Sequence, residues 1–167
     1  MSGLSWGRVA ISLLLACPCL VFVCECWLGA WGPAQPPADP LTRAPEPGAI
    51  AVLMPAHNEA AGLGPVLAHL KAQLRPQDRV LVVADNCDDD TAQVAREAGV
   101  GVCERQDPTQ RGKGYALAFG RDQLRSDPPA ILIVVDADCT VSAGGIRRLA
   151  QAAEAYRVPV QADFLIS

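Results

Sequence analysis

The 167-residue sequence has little charge. Asp, Glu, Lys and Arg make up 19% of it, whereas hydrophobic residues make up 50%. This balance is apolar for a water-soluble protein and indicates a membrane segment. The sequence also lacks a positive excess, because its formal net charge is −4. Non-specific nucleic-acid binding needs such an excess, so we expect no nucleic-acid partner, whereas a nucleotide ligand needs only local cations.

No Cys-x-x-Cys pair occurs among the seven cysteines. Their odd number and irregular spacing match neither a disulfide framework nor a zinc site, and they favour a reducing compartment. Four of them lie in an apolar N-terminal stretch, where we expect them to pack as small apolar residues: Cys17, Cys19, Cys24 and Cys26.

Residues 9–31 are apolar apart from Ser12 and Glu25. This run is longer than the roughly 20 residues that a helix needs to cross a bilayer. Trp27 and Trp31 lie at its end, where interfacial aromatic residues are common. We predict a transmembrane anchor at residues 9–31, preceded by a tail at residues 1–8. A cleaved signal peptide is the alternative, but the run continues well past the candidate cleavage box before Cys17.

Residues 32–48 contain six prolines. Proline at this density blocks helices and sheets, so we predict an extended linker between the anchor and a domain at residues 49–167.

Strand and helix patterns alternate from residue 49 onwards. We predict strands at residues 49–54 (ended by Pro55), 79–84, 100–103, 131–135 and 158–164. Helices are predicted at residues 59–74, from Asp88 or Asp89 to residue 98, at 114–125, and at 143–156 with Ser142 as its cap. This alternation is typical of an α/β fold with a parallel, doubly wound sheet.

The strand at residues 131–135 consists of β-branched residues and leucine, and it is followed by Asp136 and Asp138. Such a run is typical of a strand covered on both faces. Ligands of open α/β sheets bind beyond the carboxyl ends of the strands. Two carboxylates at that position need a positive partner, and a divalent cation such as Mg2+, bridging to a phosphate, is the simplest one.

Polar residues also follow the first two strands: His57, Asn58 and Glu59 after the first, and Asp85 and Asn86 after the second. Residues 111–114 (RGKG) add two cations and two glycines before a helix, which favours binding of a diphosphate. Together these groups predict a site for a nucleoside diphosphate with a metal ion. We expect His57 to be an ordinary loop residue and the acids at 88–90 to be helix-start residues.

Three other α/β families share part of this pattern. A P-loop NTPase needs the G-x-x-x-x-G-K spacing, which is absent from this sequence. A sugar nucleotidyltransferase has a glycine-rich loop after its first strand, whereas residues 55–59 (PAHNE) occupy that position here. Residues 136–140 (DADCT) fit the nucleophile motif of haloacid-dehalogenase-like phosphatases, with Asp136 as nucleophile. That motif follows the first core strand in those enzymes, whereas several strands precede it here.

The sequence resembles the family 2 glycosyltransferases, inverting enzymes with the GT-A fold. Four motifs occur in the family's order: residues 52–59 (VLMPAHNE), 82–91 (VVADNCDDDT), 111–117 (RGKGYAL) and 136–138 (DAD). The resemblance implies a three-layer, Rossmann-like nucleotide-binding sheet over residues 49–167, and an enzyme that takes a nucleotide-diphospho-sugar, with a UDP-sugar expected, and Mg2+ or Mn2+.

The resemblance also implies roles for individual residues. Pro55, Asn58 and Glu59 would line the nucleoside pocket, and Asp85 would hold the base. Arg111 and Lys113 would lie near the base and the phosphates. Asp136 and Asp138 would engage the diphosphate through the metal ion, with Asp138 the more direct ligand.

One departure concerns the catalytic base. In the family this acid lies well downstream of the Asp-x-Asp motif, often before a segment that ends in Trp, and no Trp follows Trp31 here. We therefore expect the base beyond Ser167 and assign no catalytic residue. On this interpretation the chain is the donor-binding half of a single-pass membrane glycosyltransferase with its globular domain in the cytoplasm. The alternatives are an inactive, truncated donor-binding protein or, less favoured, the Asp136 phosphatase.

Overall fold

The computed structural model describes residues 20–24, 27 and 46–163. Contacts within the backbone divide the chain into two units, Met1–Pro40 and Leu41–Ser167. In the first unit, residues 20–24 and Trp27 are helical. The rest of the predicted anchor at residues 9–31, the tail at residues 1–8 and most of the predicted linker lie outside the described residues. Within the described ranges, no helix has both the length and the hydropathy needed to cross a membrane.

The second unit alternates strands and helices, as the sequence pattern predicts. Its elements are β1 (Ile50–Ala56), α1 (Ala60–Lys71), β2 (Arg79–Asp85), α2 (Thr91–Glu97), β3 (Gly101–Arg105), α3 (Lys113–Gln123), β4 (Ile131–Val134) and α4 (Gly145–Tyr156). The four strands form one sheet in the order β3-β2-β1-β4, and every neighbouring pair is parallel. The carboxyl ends of all four strands therefore lie at the same edge.

Alternate residues of β1 point to opposite faces of the sheet, and each face has its own helices. Ile50, Val52 and Met54 pack with residues of α1, α2 and α4 in the larger core. Leu53 packs with Val83 and with α3 on the other face. This arrangement is a three-layer α/β/α sandwich, so the predicted α/β fold with a parallel sheet is confirmed for residues 50–156.

β4 is covered on one face only, which differs from the prediction. Ile133 is buried against the larger core, whereas Leu132 and Val134 are exposed. They pair with Ala51 and Leu53 of β1 and so share the face on which α3 lies. Because α3 packs over β1 and β2 rather than over β4, it leaves these two side chains uncovered.

Pro55 does not end β1, which continues to Ala56. The carbonyl of Leu53 accepts a hydrogen bond from the N–H of Val135 on the β4 side. Every second residue of a strand directs its backbone N–H and C=O groups to the same side, so Pro55 also faces the β4 side. β4 ends at Val134, so no strand lies beside Pro55 on that side. The missing N–H of proline therefore removes no bond from the sheet.

Two further predictions are wrong near the end of the chain. Ser142 does not cap α4, which begins after Gly144 in a left-handed conformation without a side-chain cap bond. Residues 158–163, the described part of the predicted last strand, form no strand. Apolar residues at 158 and 160 had suggested one, but nothing in the described sheet pairs with them.

Candidate functional site

A cleft of about 370 Å³ opens at the carboxyl edge of the sheet. It lies where β1, β2 and β4 end and where α3 begins. The structure brings seven of the eight residues that the sequence predicts for the site to the lining of this cleft, namely Pro55, Glu59, Asp85, Arg111, Lys113, Asp136 and Asp138. Residues far apart in sequence thus share one cavity because parallel strands end at one edge.

Asn58 is not among the residues that line the cleft. Its backbone is in the left-handed region, with φ 56°. Its side-chain Oδ1 accepts a hydrogen bond of 2.8 Å from the backbone N–H of Asp88, and its own N–H donates to Cys87 Sγ at 3.4 Å. Asn58 therefore braces the turn after β1 against the turn after β2.

His57 lines the cleft, although the sequence indicated an ordinary loop residue. Its Nδ1 lies 2.8 Å from the carbonyl oxygen of Asp85. A carbonyl can only accept, so Nδ1 carries the proton and donates it. This bond joins the end of β1 to the end of β2 beneath the cleft.

Asp85 is held by a partner that the sequence analysis missed. Arg105, at the end of β3, donates from Nη1 to Asp85 Oδ1 at 2.7 Å, and both side chains are about 90% buried. β2 and β3 pair Asp85 directly with Arg105 in the strand register. An arginine at the end of the neighbouring strand was a usable signal, but assigning it required knowing which strands are neighbours.

Asn86, which follows Asp85 in the sequence, also lines the cleft, although no role was assigned to it from the sequence. It is buried, and its Nδ2 donates to Asp85 Oδ1 at 3.1 Å. Its Oδ1 accepts from the N–H of Asp107 at 2.8 Å. Asn86 thus ties Asp85 to the loop between β3 and α3, the same loop that contains Arg111.

Lys113 is the first residue of α3 and forms an ion pair with Asp136, with Nζ 2.5 Å from Oδ1. Gly112 precedes the helix with φ 115°, a conformation that favours glycine. The free N–H groups at a helix N-terminus attract anions. A cationic side chain and a helix start therefore lie beside the acids of the β4 edge.

Asp136 and Asp138 form a candidate metal centre with Cys139, because one potential ligand atom of each residue lies within 4.8 Å of the others. Burial, followed by the hydrogen bond to Asp138 and that carboxylate's charge, raises the pKa of the Cys139 thiol. A thiol is a soft ligand, whereas a hard divalent cation prefers oxygen, so the two carboxylates are the donors that fit. An oxygen pair suits a hard ion such as Mg2+ or Mn2+.

The acids at residues 88–90 stand at the start of α2, as predicted. Asp89 accepts hydrogen bonds from the N–H of Ala60 at 3.1 Å and from that of Thr91 at 3.0 Å. The hydroxyl of Thr91 also donates to this carboxylate, and this bond is the largest cause of the lowered pKa of Asp89. Asp89 therefore stabilises the first turns of two helices, and it is not one of the residues lining the cleft.

Comparison with known proteins adds a sequence match to this geometry. The sequence profile described as glycosyl transferase family 2 matches residues 51–162, which is well over half of the chain. The low-salt glycan biosynthesis hexosyltransferase Agl6 of Haloferax volcanii is 34% identical over 93 residues, or 54% of this chain and 21% of that protein. An uncharacterized glycosyltransferase of Mycobacterium tuberculosis is 37% identical over 101 residues, or 60% of this chain and 42% of that protein. The chain thus spans between about a fifth and two fifths of the length of these relatives.

A solved structure shares the fold. The mannosyltransferase PcManGT from Pyrobaculum calidifontis, in complex with GDP-Man and Mn2+, superposes with a TM-score of 0.61 at 21% identity. The match covers 87% of this chain and 43% of that one. At this identity the likeness concerns the arrangement of strands and helices alone.

Proposed function

The chain belongs to glycosyl transferase family 2, and we propose that its cleft binds a nucleotide-diphospho-sugar together with Mg2+ or Mn2+. The proposed reaction is transfer of the sugar to an acceptor with inversion. The observation that supports this best is the single cleft in which acids from β2 and β4 meet the cationic start of α3. The relatives and the solved structure include glycosyltransferases, and one of them was solved with GDP-Man and Mn2+.

In this proposal the nucleoside lies at the β1–β2 side of the cleft. Pro55 and Glu59 line the pocket, and Asp85 accepts a hydrogen bond from the base. Asn58 contributes indirectly, because it braces the turn that carries Glu59. The base is expected to be uracil, as in many members of the family.

The diphosphate lies at the β4–α3 side of the cleft. Asp136 and Asp138 would hold the metal ion, and Lys113 and Arg111 would contact phosphate oxygens. A bound divalent cation would offset the negative charge that develops on the departing diphosphate. Lys113 is already paired with Asp136, so its ammonium group is close to the place where that charge appears.

The location of the protein is also part of the proposal. The apolar run at residues 9–31 supports a single membrane anchor. Nucleotide sugars are cytosolic in bacteria, so the globular domain is proposed to face the cytoplasm. We do not pursue the phosphatase alternative, because the match to glycosyl transferase family 2 includes Asp136. Enzymes of that family have a different fold from the dehalogenase-like phosphatases.

Calorimetric titration of the full chain in detergent tests the donor site. UDP and GDP are titrated separately, each with and without Mn2+. We expect binding of a nucleoside diphosphate that depends on Mn2+, and we expect Asp138→Asn to weaken it about tenfold or more, as loss of one charged ligand would.

Asp122→Asn is the matched control for this substitution. Asp122 lies on α3 outside the cleft and pairs with Arg121, so its removal should leave nucleotide affinity unchanged. Binding that is independent of both Mn2+ and Asp138, or no binding of either nucleotide, would refute the proposed function.

A further inference from the structure

We propose that Arg105 is a positioning residue for recognition of the nucleobase. It holds Asp85 so that one carboxylate oxygen accepts hydrogen bonds from the protein, and the other can accept one from an N–H group of the base. This inference rests on the proposed function, and it adds a residue on β3, a strand that supplies none of the cleft-lining side chains.

The two oxygens of Asp85 have unequal surroundings. Oδ1 accepts from Arg105 Nη1 at 2.7 Å and from Asn86 Nδ2 at 3.1 Å. Within the part of the chain that the structure describes, no side chain donates to Oδ2. Asp85 also lines the cleft, so Oδ2 is the oxygen available to a ligand.

Arg105 is itself fixed from several sides. Its Nη1 also donates to the carbonyl of Gln110 at 2.7 Å, and Nη2 lies 3.3 Å from Asp107 Oδ2. The guanidinium carbon lies 5.6 Å from the centre of the Tyr115 ring, within cation–π range. A rigid guanidinium that is anchored in this way fixes the carboxylate that it contacts.

The loop between β3 and α3 has other bonds that do not involve Arg105. Asp107 Oδ1 accepts from the N–H groups of Thr109 and Gln110, at 2.9 and 3.1 Å. The N–H of Asp107 donates to Asn86, and Gln106 donates to the carbonyl of Cys87. The loop that leads to Arg111 and Lys113 should therefore keep its conformation without Arg105. Loss of Arg105 should weaken binding of the base and leave binding of the phosphates unchanged.

Binding to the full chain in detergent tests this inference, with Mn2+ present throughout. The probes are UDP or GDP (whichever the wild type binds more tightly), the same nucleotide methylated at the ring N–H that Asp85 would contact, and inorganic pyrophosphate. The variant Arg105→Met should bind the nucleotide about tenfold more weakly, the cost of misplacing one charged hydrogen bond. Its affinity for pyrophosphate should stay within about twofold of wild type, and it should discriminate less against the methylated nucleotide.

Two more variants separate positioning from folding. Arg105→Lys keeps a charge but lacks the fork that reaches Asp85, Asp107 and Gln110 together, so it should lose part of the same base discrimination. Arg96→Met removes an exposed arginine that pairs with Glu104 of β3, and it should change none of the three affinities.

The outcomes distinguish the inference from the function on which it rests. If the wild type binds neither nucleotide, the proposed function fails. If the wild type binds, the inference is overturned when Arg105→Met binds the nucleotide as tightly as wild type does. It is also overturned when nucleotide and pyrophosphate affinities fall together, because that result indicates a general structural role.

Discussion

Arg75 and Asp78 form a bidentate ion pair beneath the start of β1. Asp78 Oδ1 accepts from Arg75 Nη2 at 2.9 Å and from the N–H of Ile50 at 3.0 Å. Oδ2 accepts from Arg75 Nε and from the Arg75 backbone N–H, both at 2.9 Å. Arg75 also donates to the carbonyls of Pro47 and Gly48 at 2.8 Å. The pair therefore fixes the point at which the chain enters the sheet.

Removing the charge of Asp78 should destabilise the fold. The Asp78 side chain is 2% exposed, so Asp78→Asn replaces a buried carboxylate by a neutral, weaker acceptor for Arg75. We expect a loss of roughly 1.5–3 kcal/mol in the free energy of unfolding, the range for hydrogen bonds to a charged group. Urea unfolding followed by circular dichroism measures it. Asp127→Asn, whose side chain is 83% exposed and pairs with Arg79, should cost less than about 1 kcal/mol.

The same variant should change how stability depends on pH. Burial disfavours the charged form of Asp78, but the hydrogen bonds from Arg75 and Ile50 outweigh it and lower the pKa of the carboxyl. A lowered folded-state pKa stabilises the fold above the unfolded value of about 3.9 and loses that effect as pH falls through the folded value. The stability difference between wild type and Asp78→Asn should therefore shrink below about pH 4. A difference that stays constant down to pH 2 would contradict this assignment.

Individual site residues could be predicted from the sequence where they stand at the end of an apolar strand. Asp85, Asp136 and Asp138 each follow an apolar run, and a parallel sheet brings such positions together. Arg105 is the last residue of a short, half-exposed strand, and its role depends on the register with β2. Pairing of that kind has no signature in the local pattern of either strand.

Helix α3 approaches the sheet closely at Gly120. A Cβ atom at this position would lie 2.4 Å from Leu53 Cδ1 and 2.7 Å from Val83 Cγ2. Both contacts are with buried side chains of the central strands, which have little room to move. Glycine at residue 120 therefore sets the spacing between α3 and the sheet, and with it the position of Lys113 at the other end of the helix.

Gly120→Ala should destabilise the protein although alanine is the better helix former. Overpacking of this kind costs about 1–3 kcal/mol, more than the ~1 kcal/mol that helix propensity returns. Gly62→Ala on α1 is the matched control, because a Cβ there meets nothing within 4 Å, and it should be neutral or stabilising. Equal melting temperatures for Gly120→Ala and wild type would show that the spacing of α3 is adjustable.

The order and type of the elements from β1 to α4 followed from hydrophobic periodicity, but their ends did not. β1 runs through Pro55 because it stays paired with β2 as far as Ala56, and α4 starts at Gly145 after a left-handed glycine rather than at a Ser142 cap. The first difference arises from a neighbouring strand, whereas the second coincides with the left-handed conformation of Gly144. Local propensity contains no information about a strand's neighbours, so such ends are decided by tertiary context.

At the scale of the whole molecule, the net charge is −4, and the cleft itself contains more acids than cations. Arg111 and Lys113 line the cleft, and Arg105 lies behind Asp85. Lys113 pairs with Asp136 and Arg105 pairs with Asp85. The proposed binding of a diphosphate together with a metal ion requires cations and acids that are close together in this way. The central claim is that stretches near residues 85, 113 and 138 form one site.

Nuclear magnetic resonance on the 15N-labelled full chain in detergent tests this claim most directly. UDP or GDP is titrated with Mg2+, and trace Mn2+ is then substituted for it. The account predicts that the amides of Asp85, Lys113 and Asp138 shift along one binding curve, and that Mn2+ broadens the signals near Asp138 more strongly than those near Asp85. Shifts confined to one of these stretches, or different apparent affinities among them, would contradict it.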